Sequence, residues 1–178
     1  MMITFLDMDG VLVDFRKGAA NLHGMDVEEI TNEMDYDFWR AWGMSDEDFW
    51  HPLSNVDAWR YLPKLPWADE LYTTCASLGK VFFSTAPNQS PYSSAGKLFW
   101  LSDFLGRMIG PKEYFLGLSK EYLAAPDRLL IDDKMDNCKE WLKAGGAALL
   151  WPAPWNSSRD YSSKMAMQRI KDIHRRIG

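Results

Sequence analysis

Cysteine is scarce in this chain of 178 residues. The two present, Cys75 and Cys138, lie far apart and form no CxxC pair. That spacing argues against a disulfide framework or a zinc site and suits two idle thiols of a reducing compartment. Long apolar runs are missing as well. No stretch approaches the ~20 residues that span a bilayer. The N-terminal Met-Met-Ile-Thr-Phe-Leu-Asp has neither a basic region nor a long apolar region, so no signal peptide is expected and a cytoplasmic location is. Nor is there an excess of positive charge. With 20 Lys and Arg against 25 Asp and Glu, the net charge is -5, which repels nucleic acid and anionic membranes, and neither is an expected partner. The basic residues Lys164, Arg169, Lys171, Arg175 and Arg176 alternate with Met165, Met167, Ile170 and Ile173 at helical spacing, which points to a packed helix with a solvated face. His23, His51 and His174 show no metal-ligand spacing.

Aromatic residues, by contrast, are plentiful. Five of the nine Trp fall between Trp39 and Trp67. The apolar share, 47%, is enough for a core, so disorder is not the default. The length suits one domain with a small insertion.

Ile3–Leu6 reads as a buried strand ending in an acidic cluster. Residues 15–63 hold no convincing strand. Arg16–His23, Val27–Met34, Asp37–Trp42 and Ser45–Trp50 read as short helices, with Asp26, Asp35 and Ser45 as N-caps. Leu62-Pro-Lys-Leu-Pro66 closes this insert. Beyond it, helices are expected over 67–78, 92–105, 134–144 and 163–177. Strands are expected over 80–83, 113–116, 128–131 and 147–151. Alternating strands and helices indicate βαβ units and a parallel sheet, an α/β fold. In such sheets, ligands bind beyond the carboxyl ends of the strands. Asp7/Asp9, Ser84/Thr85 and Asp132/Asp133 all follow strands and could therefore converge.

That convergence would have a definite chemistry. Asp7-Met-Asp9-Gly10 alone is no better than a polar turn. With Asp132 and Asp133 it becomes a crowded, hard-oxygen site, whose repulsion Mg²⁺ would relieve. Ser84 and Thr85 offer donors for phosphate oxygens. A lysine is needed to offset the negative charge, and Lys120 is the best placed by sequence.

Together these residues resemble the four motifs of the haloacid dehalogenase (HAD) superfamily: Asp7-Met-Asp9-Gly, Ser84, Lys120 and Asp132-Asp133, in the family's order. The resemblance implies a Rossmann-like core (1–15 and 64–178) with a small α-helical cap (16–63). It also implies Mg²⁺ and an aspartyl-phosphate intermediate. Asp7 would be the nucleophile, Asp9 the general acid and base, and Lys120 and Ser84 the phosphoryl binders. Asp7, Asp9 (through its carbonyl), Asp132 and Asp133 would form the metal site. An Asp at position 9 points to a phosphatase within the superfamily. Within it, the chain is most similar to the 5'(3')-deoxyribonucleotidases, through Asp7–Phe15, Phe38-Trp39, Trp50, Leu65-Pro66, Leu129–Lys134 and the Pro-containing segment 151–156. By that resemblance Phe15, Phe38, Trp39 and Trp50 line a base and sugar pocket, and Thr85 and Lys134 contact phosphate. Lys97 is a weaker phosphate candidate. The chain departs from the branch in its Ser84-Thr85 order and in having Lys134 where the branch has Arg.

The expected activity is thus hydrolysis of (deoxy)ribonucleoside monophosphates, with a small-molecule nucleotide as partner. Two readings stay open beside it: a phosphatase of another small metabolite such as a sugar phosphate, and a catalytically silent phosphate-binding module. The base, the sugar, the position of the phosphate and the oligomeric state, a homodimer included, are not readable from the sequence.

Overall fold

The computed structural model describes residues 2–26 and 37–177. The expected helix Val27–Met34 and the caps proposed for Asp26 and Asp35 depend on residues outside that range. In chain order the elements are β1 (Ile3–Leu6), α1 (Phe15–His23), a 3₁₀ turn (Phe38–Arg40), α2 (Asp46–Trp50), α3 (Val56–Arg60), α4 (Ala68–Leu78) and β2 (Lys80–Thr85). They continue with α5 (Pro91–Leu105), β3 (Tyr114–Leu116), a 3₁₀ turn (Lys120–Leu123), β4 (Arg128–Asp132), α6 (Met135–Lys143), β5 (Ala147–Leu150) and α7 (Ser163–Ile177). The expected helix over Asp37–Trp42 is only the 3₁₀ turn. Neither α3 nor the turn at Lys120 was expected. Among the described residues, no helix is long and apolar enough to cross a membrane.

The chain divides into two compact units. The first comprises Met1–Val13, Lys64–Ala86 and Lys112–Gly178, and the second Asp14–Pro63 and Pro87–Pro111. The first unit holds a five-stranded sheet in the order β3-β2-β1-β4-β5, every pair parallel. Its strands read as continuous apolar runs because a parallel sheet is covered on both faces. Phe5, Leu130 and Trp141 form a buried cluster, joined by Phe82, Leu123 and Ala148. The Phe5 ring lies 5.1 Å from both Phe82 and Trp141. This is the α/β core expected from the alternating strand and helix signals.

The second unit is helical. Asp14 caps α1 by accepting from the Lys17 N–H at 3.1 Å. Ser90 caps α5, and Pro91 takes the first turn, where no N–H is needed. Its core is aromatic: Phe38, Trp39, Phe49 and Trp59 are all buried. Trp39 stacks on Phe49 with centroids 4.2 Å apart. Two buried indoles find backbone acceptors, Trp59 on the Leu53 carbonyl and Trp100 on the Leu62 carbonyl. Helices α3 and α5 meet at Gly96, where a Cβ would lie 2.4 Å from Trp59 Cβ and 2.6 Å from the Val56 carbonyl oxygen.

Candidate active site

The sheet register builds the site. Leu6 pairs with Phe83 on one side and Ile131 on the other. The residues one step further, Asp7, Ser84 and Asp132, therefore share one row at the carboxyl ends of three adjacent strands. Asp7 is still held in the ladder, its N–H donating to the Ile131 carbonyl at 3.0 Å. Beyond it the chain reverses tightly: the Met8 carbonyl accepts from the N–H groups of Val11, Leu12 and Val13. Gly10 makes that reversal at φ +78°, a region costly for any residue with a Cβ. A Cβ there would also lie 2.5 Å from Asp133 Oδ2 and 2.8 Å from the Trp155 ring.

Asp7, Asp132 and Asp133 are all buried, and each offers a carboxylate oxygen within 4.8 Å of the other two. Lys120, also buried, donates to Asp7 Oδ1 at 2.7 Å and to Asp132 Oδ2 at 2.6 Å. Three carboxylates face one ammonium, so negative charge is in excess. Burial pushes the Asp7 carboxyl up to about 6; Lys120 pulls it down while Asp132 and Asp9 push it up again. Burial also raises Asp133 well above the ordinary carboxyl value, with Asp7 and Asp132 adding to the rise. Burial works against the charge on Lys120, but Asp7 and Asp132 outweigh it and its pKa is raised. The lysine is thus held in its charged form between two of the three carboxylates. This hard-oxygen group could hold a metal ion, and its composition suits Mg²⁺ rather than zinc.

Ser84 Oγ is buried and has no hydrogen-bond partner among the described residues, a cost that a bound phosphate oxygen would remove. Thr85 is buried beside it at the end of β2. Asp9 is half-buried in the turn; its carboxylate is not part of the metal-capable group. Lys134 has an exposed side chain, and its backbone N–H donates to Asp132 Oδ1 at 2.8 Å.

Three residues without an expected role hold Asp132 and Asp133, two through the carboxylates and one through a backbone carbonyl. Asn137 Nδ2 reaches both oxygens of Asp132, at 3.1 and 3.0 Å. Trp155 Nε1 donates to Asp133 Oδ2 at 2.7 Å, and Asn156 Nδ2 to the Asp133 carbonyl at 2.8 Å. Asn137 could have been found from its place in the first turn of the helix after Asp132. Trp155 and Asn156 could be found only once β5 is known to lie beside β4.

The aromatic candidates belong to the second unit and pack on one another. Phe38 and Trp39 are 2% and 5% exposed, so little of either ring is available to a ligand. Phe15 and Trp50 are half-buried. The Phe15 ring stacks on Trp59 at 5.7 Å and on Trp50 at 6.2 Å. Lys97 is buried in α5, its Nζ 5.4 Å from the centre of the Trp59 ring.

No family model matches the chain, and no curated protein does. Solved structures do resemble it. One is a haloacid dehalogenase-like family hydrolase from Xanthomonas campestris, 10% identical, covering 100% of this chain and 94% of that one, with a TM-score of 0.60. Another is a hydrolase from Streptococcus pneumoniae TIGR4, 11% identical, covering 96% of this chain and 98% of that one, with a TM-score of 0.54. The chain therefore has the fold seen in haloacid dehalogenase-like hydrolases.

Proposed function

We propose that the protein is a Mg²⁺-dependent phosphomonoesterase of the haloacid dehalogenase type, acting through an aspartyl phosphate on Asp7. The observation that carries this reading is the buried group of Asp7, Asp132 and Asp133, bridged by Lys120, with the unsatisfied Ser84 hydroxyl in the same row. Asp7, Asp132 and Asp133 would hold the metal, together with the Asp9 carbonyl. The ion would supply charge neutralisation for the phosphoryl oxygens.

The chain's own residues then divide the work. Ser84, Thr85 and Lys120 bind the phosphoryl group and stabilise its developing charge. An Asp7 oxygen attacks phosphorus and the ester P–O bond breaks, while Asp9 gives its proton to the departing alkoxide. A water then attacks the acyl phosphate, Asp9 takes the water's proton, and the bond from phosphorus to Asp7 breaks to release inorganic phosphate.

The substrate class we infer is a (deoxy)ribonucleoside monophosphate. The support is chemical. The second unit carries Phe15, Phe38, Trp39 and Trp50, and ring faces of this kind stack on bases for about 1–3 kcal/mol each. The limited exposure of Phe38 and Trp39 puts most of that weight on Phe15 and Trp50. Lys97 and Lys134 are the further phosphate candidates. A sugar phosphate remains the second reading, since the phosphoryl chemistry does not require a base.

The test compares wild type and Asp7→Asn on nucleoside monophosphates, sugar phosphates and an aryl phosphate, with and without Mg²⁺. Mg²⁺-dependent release of phosphate by wild type, abolished in Asp7→Asn, is the expected result. Equal turnover by the variant would refute the nucleophile. Faster turnover of sugar phosphates would refute the nucleotide reading and leave the phosphatase standing.

A further inference from the structure

Trp155 and Asn156 follow β5, the strand beside β4, and so approach the end of β4 from the side. Between them they hold both halves of one residue. The Trp155 indole donates to the Asp133 carboxylate at 2.7 Å. Asn156 Nδ2 donates to the Asp133 carbonyl and to the Trp151 carbonyl, each at 2.8 Å. Asn156 is itself fixed, since its Oδ1 accepts from the Ser158 N–H at 2.9 Å. Gly10 supplies the third wall. The 2.5 Å and 2.8 Å approaches of its missing Cβ to Asp133 Oδ2 and the Trp155 ring show how closely the three are packed.

An indole carries a single N–H and no acceptor. It therefore fixes one oxygen of the Asp133 carboxylate and makes no claim on the other. The contact is also charge-assisted when Asp133 is ionised, and such bonds are about twice as strong as neutral ones. Partners of this kind orient metal-binding groups, and their loss typically costs about 10–100-fold in metal affinity or activity.

We propose that Trp155 is a positioning residue for Asp133, holding its carboxylate for the metal, and that Asn156 anchors the backbone beneath it. This rests on the metal-dependent phosphatase reading above. It goes beyond that reading in assigning part of the metal affinity to a segment outside the metal-capable group of Asp7, Asp132 and Asp133.

Trp155→Phe keeps a ring and deletes the N–H, which separates orientation from packing. Wild type, Trp155→Phe and Asp133→Asn are titrated with Mg²⁺ alone by calorimetry, and turnover is followed against Mg²⁺ concentration. In Trp155→Phe the Mg²⁺ dissociation constant should rise by about tenfold or more. Its kcat should fall at limiting Mg²⁺ and recover at saturation, with the KM for substrate unchanged and the metal-free melting temperature close to wild type. Equal Mg²⁺ affinity in wild type and Trp155→Phe, with Asp133→Asn weakened, would overturn the role of Trp155 alone. Absence of Mg²⁺ binding in wild type would overturn the metal reading and this inference with it. Should Trp155→Phe not fold, ¹⁵N-indole spectra of wild type and Asp133→Asn decide the matter. One indole N–H signal must lie far downfield and move with Mg²⁺ in wild type, and lose both properties in Asp133→Asn. If no indole signal does so, the proposal fails.

Discussion

Asp7 and Asp9 are separated by one residue, yet they differ in exposure and in partners. Asp7 is buried against Lys120 and two other carboxylates, while Asp9 sits half-exposed in the turn after the strand. In the proposed mechanism this separates a nucleophile, which must stay ionised when the site is loaded, from a group that must exchange protons with water. Asp9→Asn should lower kcat on an alkyl phosphate by about 10²–10⁴-fold. On p-nitrophenyl phosphate, whose leaving group needs no proton, the same variant should release a stoichiometric burst of nitrophenolate and then turn over slowly, because the acyl phosphate waits for a base. Stopped-flow absorbance would show it, and burst-free turnover at the wild-type rate would rule the division of roles out. At this scale the strand-end residues were legible in the sequence, since each follows an apolar run. The partners of Asp133 were not, because Trp155 and Asn156 lie more than 20 positions away and meet it only through the order of the strands. The near-complete burial of Phe38 and Trp39 was equally invisible, as aromatic content does not say which rings stack on one another.

Most elements were legible from apolar runs and helix punctuation, short ones such as α2 and β3 included. The strands of a doubly covered parallel sheet stand out as apolar runs between polar ends, and α4, α5 and α7 are long enough to show their own punctuation. Helix α3 has five residues, too few for a helical period, and the turn at Lys120–Leu123 is shorter still and makes no side-chain cap bond at Ser119, although it presents the lysine to Asp7 and Asp132. The grouping of Pro87–Pro111 with Asp14–Pro63 in one unit depends on packing between α3 and α5, which no local pattern encodes. Gly96 records that packing. Gly96→Ala gains about 1 kcal/mol of helix propensity, but the new Cβ meets the Val56 carbonyl oxygen at 2.6 Å, and backbone cannot swing aside as a flexible side chain can. Overpacking of about 1–3 kcal/mol or more should win. The variant should melt several degrees below wild type, and an unchanged or raised melting temperature would contradict the packing described.

For the whole molecule, the clustered carboxylates tie stability to pH and, under the proposed function, to metal. Folding raises the Asp7 pKa from 3.8 to about 6, so the metal-free folded state holds this proton more tightly than the unfolded chain. The associated stability is fully present below pH 3.8 and is lost as pH rises through about 6; Asp133 shifts in the same direction. Mg²⁺ takes the ionised form, so its stabilisation should grow over that same interval. Denaturant titrations between pH 4 and 7, with and without Mg²⁺, should show the two curves diverging as pH rises. Parallel curves would mean that the ion and the protons do not compete for the same oxygens. The pairing of Leu6 with both Phe83 and Ile131 has a consequence for folding fidelity. A slip of one strand by one position would turn its terminal side chain to the opposite face and remove it from the row. Misassembled molecules should therefore be silent rather than sluggish, and the specific activity of a refolded sample would count its correctly registered fraction.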